Sequence, residues 1–356
     1  MPAEGDLHRK EAETKMTEIK MNRSVFLRTL VLSGFAFLTS PGFGEPEPEY
    51  PLSAPLVEAD QVLSFTWDDV DKYPLTTSLA FIPAKSELVT GGDDCQLAVW
   101  DLTNGALKNH FRADEDWIRS LDLSVDGETL AALSHHGSIK LWNTAEWKAV
   151  KTLTKVGNGA ESICFSPDGQ FLAVCGYDPQ VTIFDIASGR TKTTLAMPGA
   201  GNTVVRFSPD GKTLAAAGRS GIVRLWDAGT FQHRKDLRTD GRRVRTLAFS
   251  LDGTLLAAGG ESPTIFIWDA ASGQKKQTLN AAIGTTYSLG FCGSDILASG
   301  DSLNSVRLWN LGDGSEFARG YGHTGTVAAL YFDLDKGELL SGGFDTTVRF
   351  WPFLKQ

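Results

Sequence analysis

The chain has 356 residues, of which 42% are apolar and 10% aromatic, and it contains 37 glycines. This composition fits a turn-rich all-β domain whose apolar core needs no disulfide or metal ion for stability. The net charge is −9, and the residues after 44 carry 28 basic and 38 acidic side chains. This surplus of negative charge argues against a broad nucleic-acid-binding surface.

The N-terminal region has the layout of an export signal. Residues 1–20 are polar and of mixed charge, and two arginines then precede the uncharged apolar run Thr29–Leu38. Small residues follow at the positions that a signal peptidase requires, so residues 21–44 are predicted to be a signal peptide cleaved near Gly44–Glu45. The mature chain would be periplasmic or secreted, without a transmembrane span, because the apolar run is too short to cross a membrane comfortably.

Two alternatives remain open for this region. Translation could begin at Met21, since residues 1–20 do not look like the start of an exported protein. If residues 21–44 are not cleaved, they would anchor the protein to the membrane. The segment 45–58 is rich in Pro and Glu and is predicted to be a stiff, solvated linker.

A short turn motif recurs along the rest of the chain, residues 59–356. The sequence FSPDG occurs at Phe165–Gly169 and again 42 residues later at Phe207–Gly211. Ser-Pro-Asp-Gly suits a type I β-turn, and the β-prone runs on both sides predict a hairpin. Related turns are LSVDG, FSLDG, FCGSD, FIPAK and FDLDKG, which complete a series of seven.

A second marker accompanies each turn and confirms the repeat. It reads LAVWD, IKLWN, VTIFD, VRLWD, IFIWD, VRLWN and VRFWP. Its aromatic residues are spaced by 41 or 42 positions, at Trp100, Trp142, Phe184, Trp226, Trp268, Trp309 and Trp351. Four-stranded repeats of this length with a WD-like dipeptide are propeller blades. The chain resembles the WD40 repeat family, of the kind that bacteria secrete, and the resemblance implies a seven-bladed β-propeller.

The two ends of the repeat region are predicted to close the ring. Only PFLKQ follows Trp351, which is too short for an outer strand of the seventh blade. The segment Gln61–Trp67 precedes the first blade and has no other assignment. It is therefore predicted to complete the last blade, because a closed ring leaves no bare inner strand edges.

Blade seven contains the residue types of a hydrolytic triad. The WD40 resemblance instead implies a structural tetrad of side chains that hydrogen-bond within the blade: His323, Ser341, Asp345 and Trp351. Such a group satisfies buried polar atoms and ties strands together. We therefore predict no catalytic residue, and no metal or cofactor site follows from the sequence. The cysteines form no CxxC motif, and Cys164 and Cys175 are interpreted as free buried thiols rather than a disulfide.

The repeat register predicts a binding surface at one end of the ring. In the WD40 family this top face is formed by the loops between blades, the start of each inner strand and the turn between the second and third strands. The positions that match and carry interface-type side chains are Trp117, Arg119, His135, Tyr177, Arg219, Arg243, Arg245, Tyr287 and Phe344. Glu161 is the acidic residue among the projecting inner-strand positions, which argues against a central metal site.

The predicted function is a monomeric, non-enzymatic scaffold that binds a protein or peptide on the top face. A rigid ring would hold the loop side chains in place, so that binding orders little. One alternative is a propeller-type enzyme or redox subunit of lactonase-like or quinoprotein-like kind. Another is an envelope protein that binds glycan or self-associates.

Overall fold

The computed structural model of the protein describes residues 55–64, 76–281, 284–334 and 336–353, and the predicted signal peptide lies outside these ranges. Within them the chain forms seven β-sheets and a single 3-10 turn, Pro83–Lys85. Each sheet is one propeller blade with four antiparallel strands, named a to d in the order in which they pair. Among the described residues, no helix is long and apolar enough to cross a membrane.

The strands follow the 42-residue register. The a strands of blades 1 to 7 are Thr76–Ile82, Ile118–Leu123, Ala160–Phe165, Asn202–Phe207, Val244–Phe249, Thr286–Phe291 and Val327–Asp333. The b strands are Glu87–Gly92, Thr129–Ser134, Phe171–Gly176, Thr213–Gly218, Leu255–Gly260, Ile296–Asp301 and Glu338–Gly343. The c strands are Gln96–Asp101, Ile139–Asn143, Gln180–Asp185, Ile222–Asp227, Thr264–Asp269, Val306–Asn310 and Thr347–Trp351. The d strands are Leu107–Arg112, Lys148–Thr152, Arg190–Ala196, His233–Arg238, Lys275–Asn280, Glu316–Gly320 and, for blade 7, Gln61–Ser64.

The recurring FSPDG motif forms the turn between strands a and b. In blade 3 the Gly169 N–H donates to the Ser166 carbonyl at 2.9 Å, as a four-residue β-turn requires. Ser166 Oγ donates to Asp168 Oδ1 at 2.5 Å and accepts from the Phe171 N–H at 2.9 Å. Gly169 has a φ of +69°, a conformation that strongly favours glycine. The motif therefore recurs because its side chains and glycine satisfy one turn geometry.

The apolar core lies between neighbouring blades. One cluster joins Ala173 and Ile183 of blade 3 with Val205 and Trp226 of blade 4, all buried. Further clusters repeat this arrangement around the ring. Because each blade buries its faces only against its neighbours, the ring must be closed for the terminal blades to bury theirs.

The ring closes as the sequence predicts, over the described part of the closing segment. Gln61–Ser64 pairs antiparallel with strand c of blade 7, with Leu63 opposite Val348. One further strand was not predicted: Leu56–Val57, within the segment assigned to the linker, pairs in parallel with strand d of blade 6. It gives that blade a fifth strand and covers its outer edge.

Candidate functional site

A bulge at the start of every inner strand directs one side chain out of the regular sheet. The pairing of strands a and b skips one residue in all seven described blades. The skipped residues are Thr77, Arg119, Glu161, Thr203, Arg245, Tyr287 and Ala328. A bulge leaves such a residue unpaired and re-aims its side chain. All seven line one central cavity of about 320 Å³.

Several of these inner-ring side chains contact the next blade. Thr77 Oγ1 donates to the Ile118 carbonyl, and Thr203 Oγ1 donates to the Val244 carbonyl. The Arg119 guanidinium forms an ion pair with Glu161. Residues of equal register in adjacent blades are thus neighbours in space, which is why residues 42 apart in sequence interact. The inner ring both lines the cavity and ties the blades together.

The predicted residues Arg245, Tyr287 and Phe344 form a continuous group over blades 5 to 7. The Arg245 guanidinium carbon lies 5.1 Å from the centroid of the Tyr287 ring, a cation–π arrangement. The Tyr287 ring in turn meets Phe344 edge-on, with 6.4 Å between centroids. Arg245 also pairs with Glu261 at 2.9 Å. This side of the cavity mouth is therefore aromatic, and its arginine is neutralised.

Blades 4 and 5 place two further predicted arginines beside Arg245. The turn that carries Arg219 contacts the loop before Arg243, since a Cβ at Gly221 would lie 2.6 Å from Gly241 and 2.9 Å from the Arg242 carbonyl oxygen. Burial and the charges of Arg245 and Arg219 lower the pKa of Arg243, while Glu161 and Glu261 oppose this shift. Arg243 Nε is buried without a hydrogen-bond partner, and neither Arg219 nor Arg243 has an ion-pair partner among the described residues. This group of three arginines, Arg219, Arg243 and Arg245, is called the arginine cluster below.

Glycines at the start of two inner strands make room for the turn residues that cover them. A Cβ at Gly201 would lie 2.6 Å from Cδ of Arg219, so the arginine stem crosses the glycine backbone. A Cβ at Gly159 would lie 3.1 Å from Cβ of Tyr177. Tyr177 is 61% exposed and presents most of its ring to solvent. Glycine at these positions thus lets Tyr177 and Arg219 lie over the loop.

Trp117 and His135 form a separate group on blade 2. Their rings are 6.2 Å apart, and Trp117 is 50% exposed. The neighbouring His136 interacts with Asp116 at 3.0 Å. The arginine cluster continues through Arg245 and Tyr287 to Phe344. Between these two groups, the Gly159 N–H donates to the His135 carbonyl and the Gly201 N–H donates to the Tyr177 carbonyl.

The tetrad residues of blade 7 lie together in the interior of the blade. His323 Nε2 is 2.7 Å from Ser341 Oγ, and Trp351 Nε1 donates to the same Oγ at 2.8 Å. His323 Nδ1 is 2.9 Å from Asp345 Oδ2. Burial would raise the pKa of Asp345, but the hydrogen bond and charge of His323 lower it to about 2. Ser341 is fully buried and has the indole as a second partner, so its hydroxyl cannot reach a substrate.

A second polar group lies on the inner strands nearer the turns between strands a and b, and it was not predicted from the sequence. Asp122, Cys164 and Arg206 hold the same register in blades 2, 3 and 4. Asp122 Oδ2 accepts from the Phe165 N–H at 2.6 Å, and Cys164 Sγ accepts from the Phe207 N–H at 3.4 Å. Burial raises the pKa of the Cys164 thiol to about 12, which makes it a poor nucleophile. The 42-residue register was the signal that could have found this group.

The described residues contain no group of three or more His, Cys, Asp or Glu side chains placed to hold a metal ion. The cysteines are free, and Cys164 and Cys175 are buried. In the register of strands a and b, Cys175 lies opposite Ser162 and Cys164 opposite Ala173. Arg245, Tyr287 and Phe344 are the arginine and aromatic residues on one side of the cavity.

Comparison with known proteins agrees with the architecture. Residues 75–317 match the family described as IFT122 first beta-propeller, and residues 315–352 match the WD domain, G-beta repeat, of the WD40 family. Together these matches cover the described blades from the first to the last.

Individual relatives share short stretches with this chain. They include Periodic tryptophan protein 2 of Arabidopsis thaliana, 43% identical over 60 residues, which are 17% of this chain and 7% of the relative. Nuclear distribution protein nudF 2 of Aspergillus clavatus is 36% identical over 80 residues, 21% of this chain and 18% of the relative. THO complex subunit 6 homolog of Mus musculus is 30% identical over 80 residues, 22% of this chain and 24% of the relative.

The matched stretch thus spans less than a quarter of each of these relatives. The relatives come from a plant, a fungus and a mouse, so they do not support the prediction of a secreted bacterial kind. The family match, in contrast, extends over more than half of the chain and agrees with the seven blades and their WD-like markers. The chain therefore belongs to the IFT122 first beta-propeller family and is a seven-bladed WD40-type β-propeller.

Proposed function

We propose that this protein is a non-enzymatic scaffold that binds a protein or peptide partner on the top face of the propeller. Membership of the WD40 propellers supports the general role of protein interaction. The observation that carries the proposal is the combination of the exposed Trp117 and Tyr177 with Arg219 and Arg243, which have no ion-pair partner among the described residues. Aromatic and arginine side chains dominate interface hot spots because they combine contact area with directional polar contacts.

A rigid platform is the proposed mechanism. The bulged inner-ring residues Thr77 and Arg119 are held by contacts to the next blade, so their side chains lose little conformational freedom when a partner binds. The buried Ser341 and the raised pKa of the Cys164 thiol argue against the alternative of an enzyme. The alternative of a glycan-binding envelope protein is supported only by exposed aromatic residues such as Trp117 and Tyr177. A monomeric state and the lack of a nucleic-acid partner belong to the same proposal.

The experiment that tests this function is affinity capture from a native cell extract with the full tagged chain. A top-face variant carries Trp117→Ala, Tyr177→Ala, Arg219→Ala and Arg243→Ala, which remove exposed or unpaired side chains without breaking an ion pair. We expect a partner that the wild type retains and this variant loses. The folding of each variant is checked by its thermal unfolding curve.

A matched control changes the opposite end of the inner strands. Val125, Leu251 and Leu334 are 76%, 45% and 60% exposed, in or next to the turns between strands a and b. The variant Val125→Ala, Leu251→Ala, Leu334→Ala should retain the partner. If it loses the partner while the top-face variant keeps it, the binding surface lies at the wrong end and the proposal fails.

Export of the chain is a further part of the proposal and rests on the signal-like sequence 21–44, outside the described residues. We expect the protein expressed in a bacterial host to be cleaved near Gly44–Glu45 and to fractionate with the periplasm. N-terminal sequencing checks this. An uncut chain in the cytoplasmic fraction would refute export without affecting the scaffold function.

A further inference from the structure

The arginine cluster carries a charge that the protein itself does not neutralise. Glu261 already pairs with Arg245 at 2.9 Å, and Glu161 already pairs with Arg119. Arg219 and Arg243 are left without a carboxylate partner among the described residues, in a protein whose overall charge is −9. Two adjacent unpaired cations repel each other, so an anion placed between them is attracted to both.

Burial shields the Nε donors of several arginines, among them Arg119, Arg243 and Arg245. Arg243 is half-buried, and its Nε is shielded from solvent without a hydrogen-bond partner. A ligand that accepts a hydrogen bond from such a donor replaces the hydrogen bond that the donor lost on burial. Arg219 crosses Gly201 and stays exposed, which places a solvated guanidinium beside the half-buried one. Arg243 thus provides a hydrogen-bond donor in a fixed orientation, and Arg219 provides a guanidinium that a ligand can reach from solvent.

An apolar surface adjoins the cluster on the side of blades 6 and 7. Arg245 stacks on Tyr287, which contacts Phe344. Phe344 is 37% exposed, and Leu303 in the neighbouring turn is 50% exposed. The mouth of the cavity is therefore cationic over blades 4 and 5 and apolar over blades 6 and 7.

We propose that the top face selects peptide segments in which an acidic side chain stands next to an aromatic or aliphatic one, with the acidic group bound by Arg219 and Arg243. The neighbouring apolar side chain packs on Tyr287 and Phe344. This inference rests on the proposed scaffold function and names the chemistry of its partner. A long polyanion such as RNA fits less well, because the cluster is small and the remaining surface of the protein is acidic.

The test uses defined peptides and the full chain. The probe is the fluorescently labelled, C-terminally amidated peptide Glu-Glu-Phe-Glu-Glu, and Gln-Gln-Phe-Gln-Gln is its neutral match. Fluorescence anisotropy at low salt should give binding of the acidic peptide that is at least tenfold tighter, since a hydrogen bond to a charged group contributes about 1.5–3 kcal/mol. A version with phosphoserine in place of the glutamates shows which anion the site prefers; tighter binding that depends on the cluster would support the site and identify a phosphoryl group as its ligand.

Two variants with the same change in net charge distinguish binding at the arginine cluster from attraction by the overall charge of the protein. Arg219→Gln with Arg243→Gln should weaken binding of the acidic peptide about tenfold or more. Arg190→Gln with Lys192→Gln changes two exposed cationic residues on the outer strand of blade 3. In a parallel titration at about 0.15 M salt, where the Debye length is about 8 Å, it should change the affinity less than about twofold. Equal losses in the two variants would overturn the proposal.

Three other outcomes would also overturn it: equal affinity for the neutral peptide, no binding of the acidic peptide up to about 1 mM, or tighter binding of poly-uridine RNA. None of these decides the scaffold function. If a partner is captured by the wild type and lost by the top-face variant while the peptide test fails, the scaffold function is supported. Only the preference for acidic segments is then refuted.

Discussion

Asp122 shows how the ring changes the chemistry of a single carboxyl group. It lies between the inner strands of blades 2 and 3, accepts from the Phe165 N–H, and also interacts with the Leu123 N–H and the Cys164 thiol. Burial raises its pKa to about 6, against the opposing effect of the Arg206 charge. Because the pKa in the folded state lies above the ordinary value of 3.8 for an aspartate, ionisation of Asp122 costs stability. That cost is absent below about pH 4, grows between about pH 4 and 6, and is complete above the folded pKa.

Replacing Asp122 with Asn should therefore stabilise the protein in a pH-dependent way. The amide oxygen can still accept from Phe165, while the buried charge is removed. We expect Asp122→Asn to raise the free energy of unfolding by about 1–3 kcal/mol at pH 7 and to have little effect at pH 4. Urea denaturation at both pH values measures this. Asp295→Asn, at an exposed carboxylate, serves as the control, and an equal effect of Asp122→Asn at both pH values would contradict the account.

Within a blade, the indole N–H of the strand c tryptophan can donate a hydrogen bond, and the blades differ in whether they provide an acceptor. In blades 1, 6 and 7 a hydroxyl ten residues earlier accepts from the indole: Thr90, Ser299 and Ser341, at 3.0, 2.8 and 2.8 Å. These three blades are consecutive around the ring and flank the closure. In blade 2 the corresponding residue is Ala132, and Trp142 Nε1 is buried without a partner.

Ala132→Ser should supply the missing acceptor. We expect this substitution to stabilise the protein by about 1 kcal/mol, the net contribution of a typical buried hydrogen bond. In a Trp142→Phe background the same serine has no indole to bind and should instead destabilise, because its hydroxyl is buried without that partner. A double-mutant cycle on denaturant unfolding measures the coupling. Additive effects of the two substitutions would show that the bond does not form.

Blade 3 lacks the hydrogen-bonded tetrad that blade 7 contains. Val156, Val174, Asp178 and Phe184 occupy the register of His323, Ser341, Asp345 and Trp351. All four line a cavity of about 240 Å³ in the described structure. Val156 and Phe184 are smaller than His323 and Trp351, and Val174 has no hydroxyl group, so the hydrogen-bonded tetrad cannot form here and a cavity lies at its position.

The repeat pattern was sufficient to predict the blades, their turns and the closing strand, because each depends on local sequence repeated in register. It did not predict the bulges, since the residues skipped, from Thr77 to Tyr287, carry no glycine or proline signal. It also did not predict that Glu161 pairs with Arg119 and Glu261 with Arg245. Such pairings depend on which blades are adjacent, information that appears only when equal register positions are compared around a closed ring.

For the whole molecule, the closing strand converts a chain of seven blades into a ring without any covalent link. Leu63 is 8% exposed and packs in one cluster with Leu88 and Trp100 of blade 1 and Val348 of blade 7. The same strand presents Val62 on its other face, 43% exposed. Because side chains alternate along a strand, the two residues share backbone pairing but differ in burial.

This pair allows the contribution of closure to be measured. Leu63→Ala should lower the free energy of unfolding by about 2–4 kcal/mol, through lost burial and the cavity left between blades 7 and 1. Val62→Ala should cost at most about 1 kcal/mol, because it alters strand propensity and little packing. Chemical denaturation gives both values. Hydrogen exchange should show in addition that Leu63→Ala first exposes the amides of strand c in blade 7, since that strand loses its outer neighbour when the closure opens. Uniform loss of protection around the ring, or equal costs for the two substitutions, would mean that the closing strand is not the weakest point of the propeller.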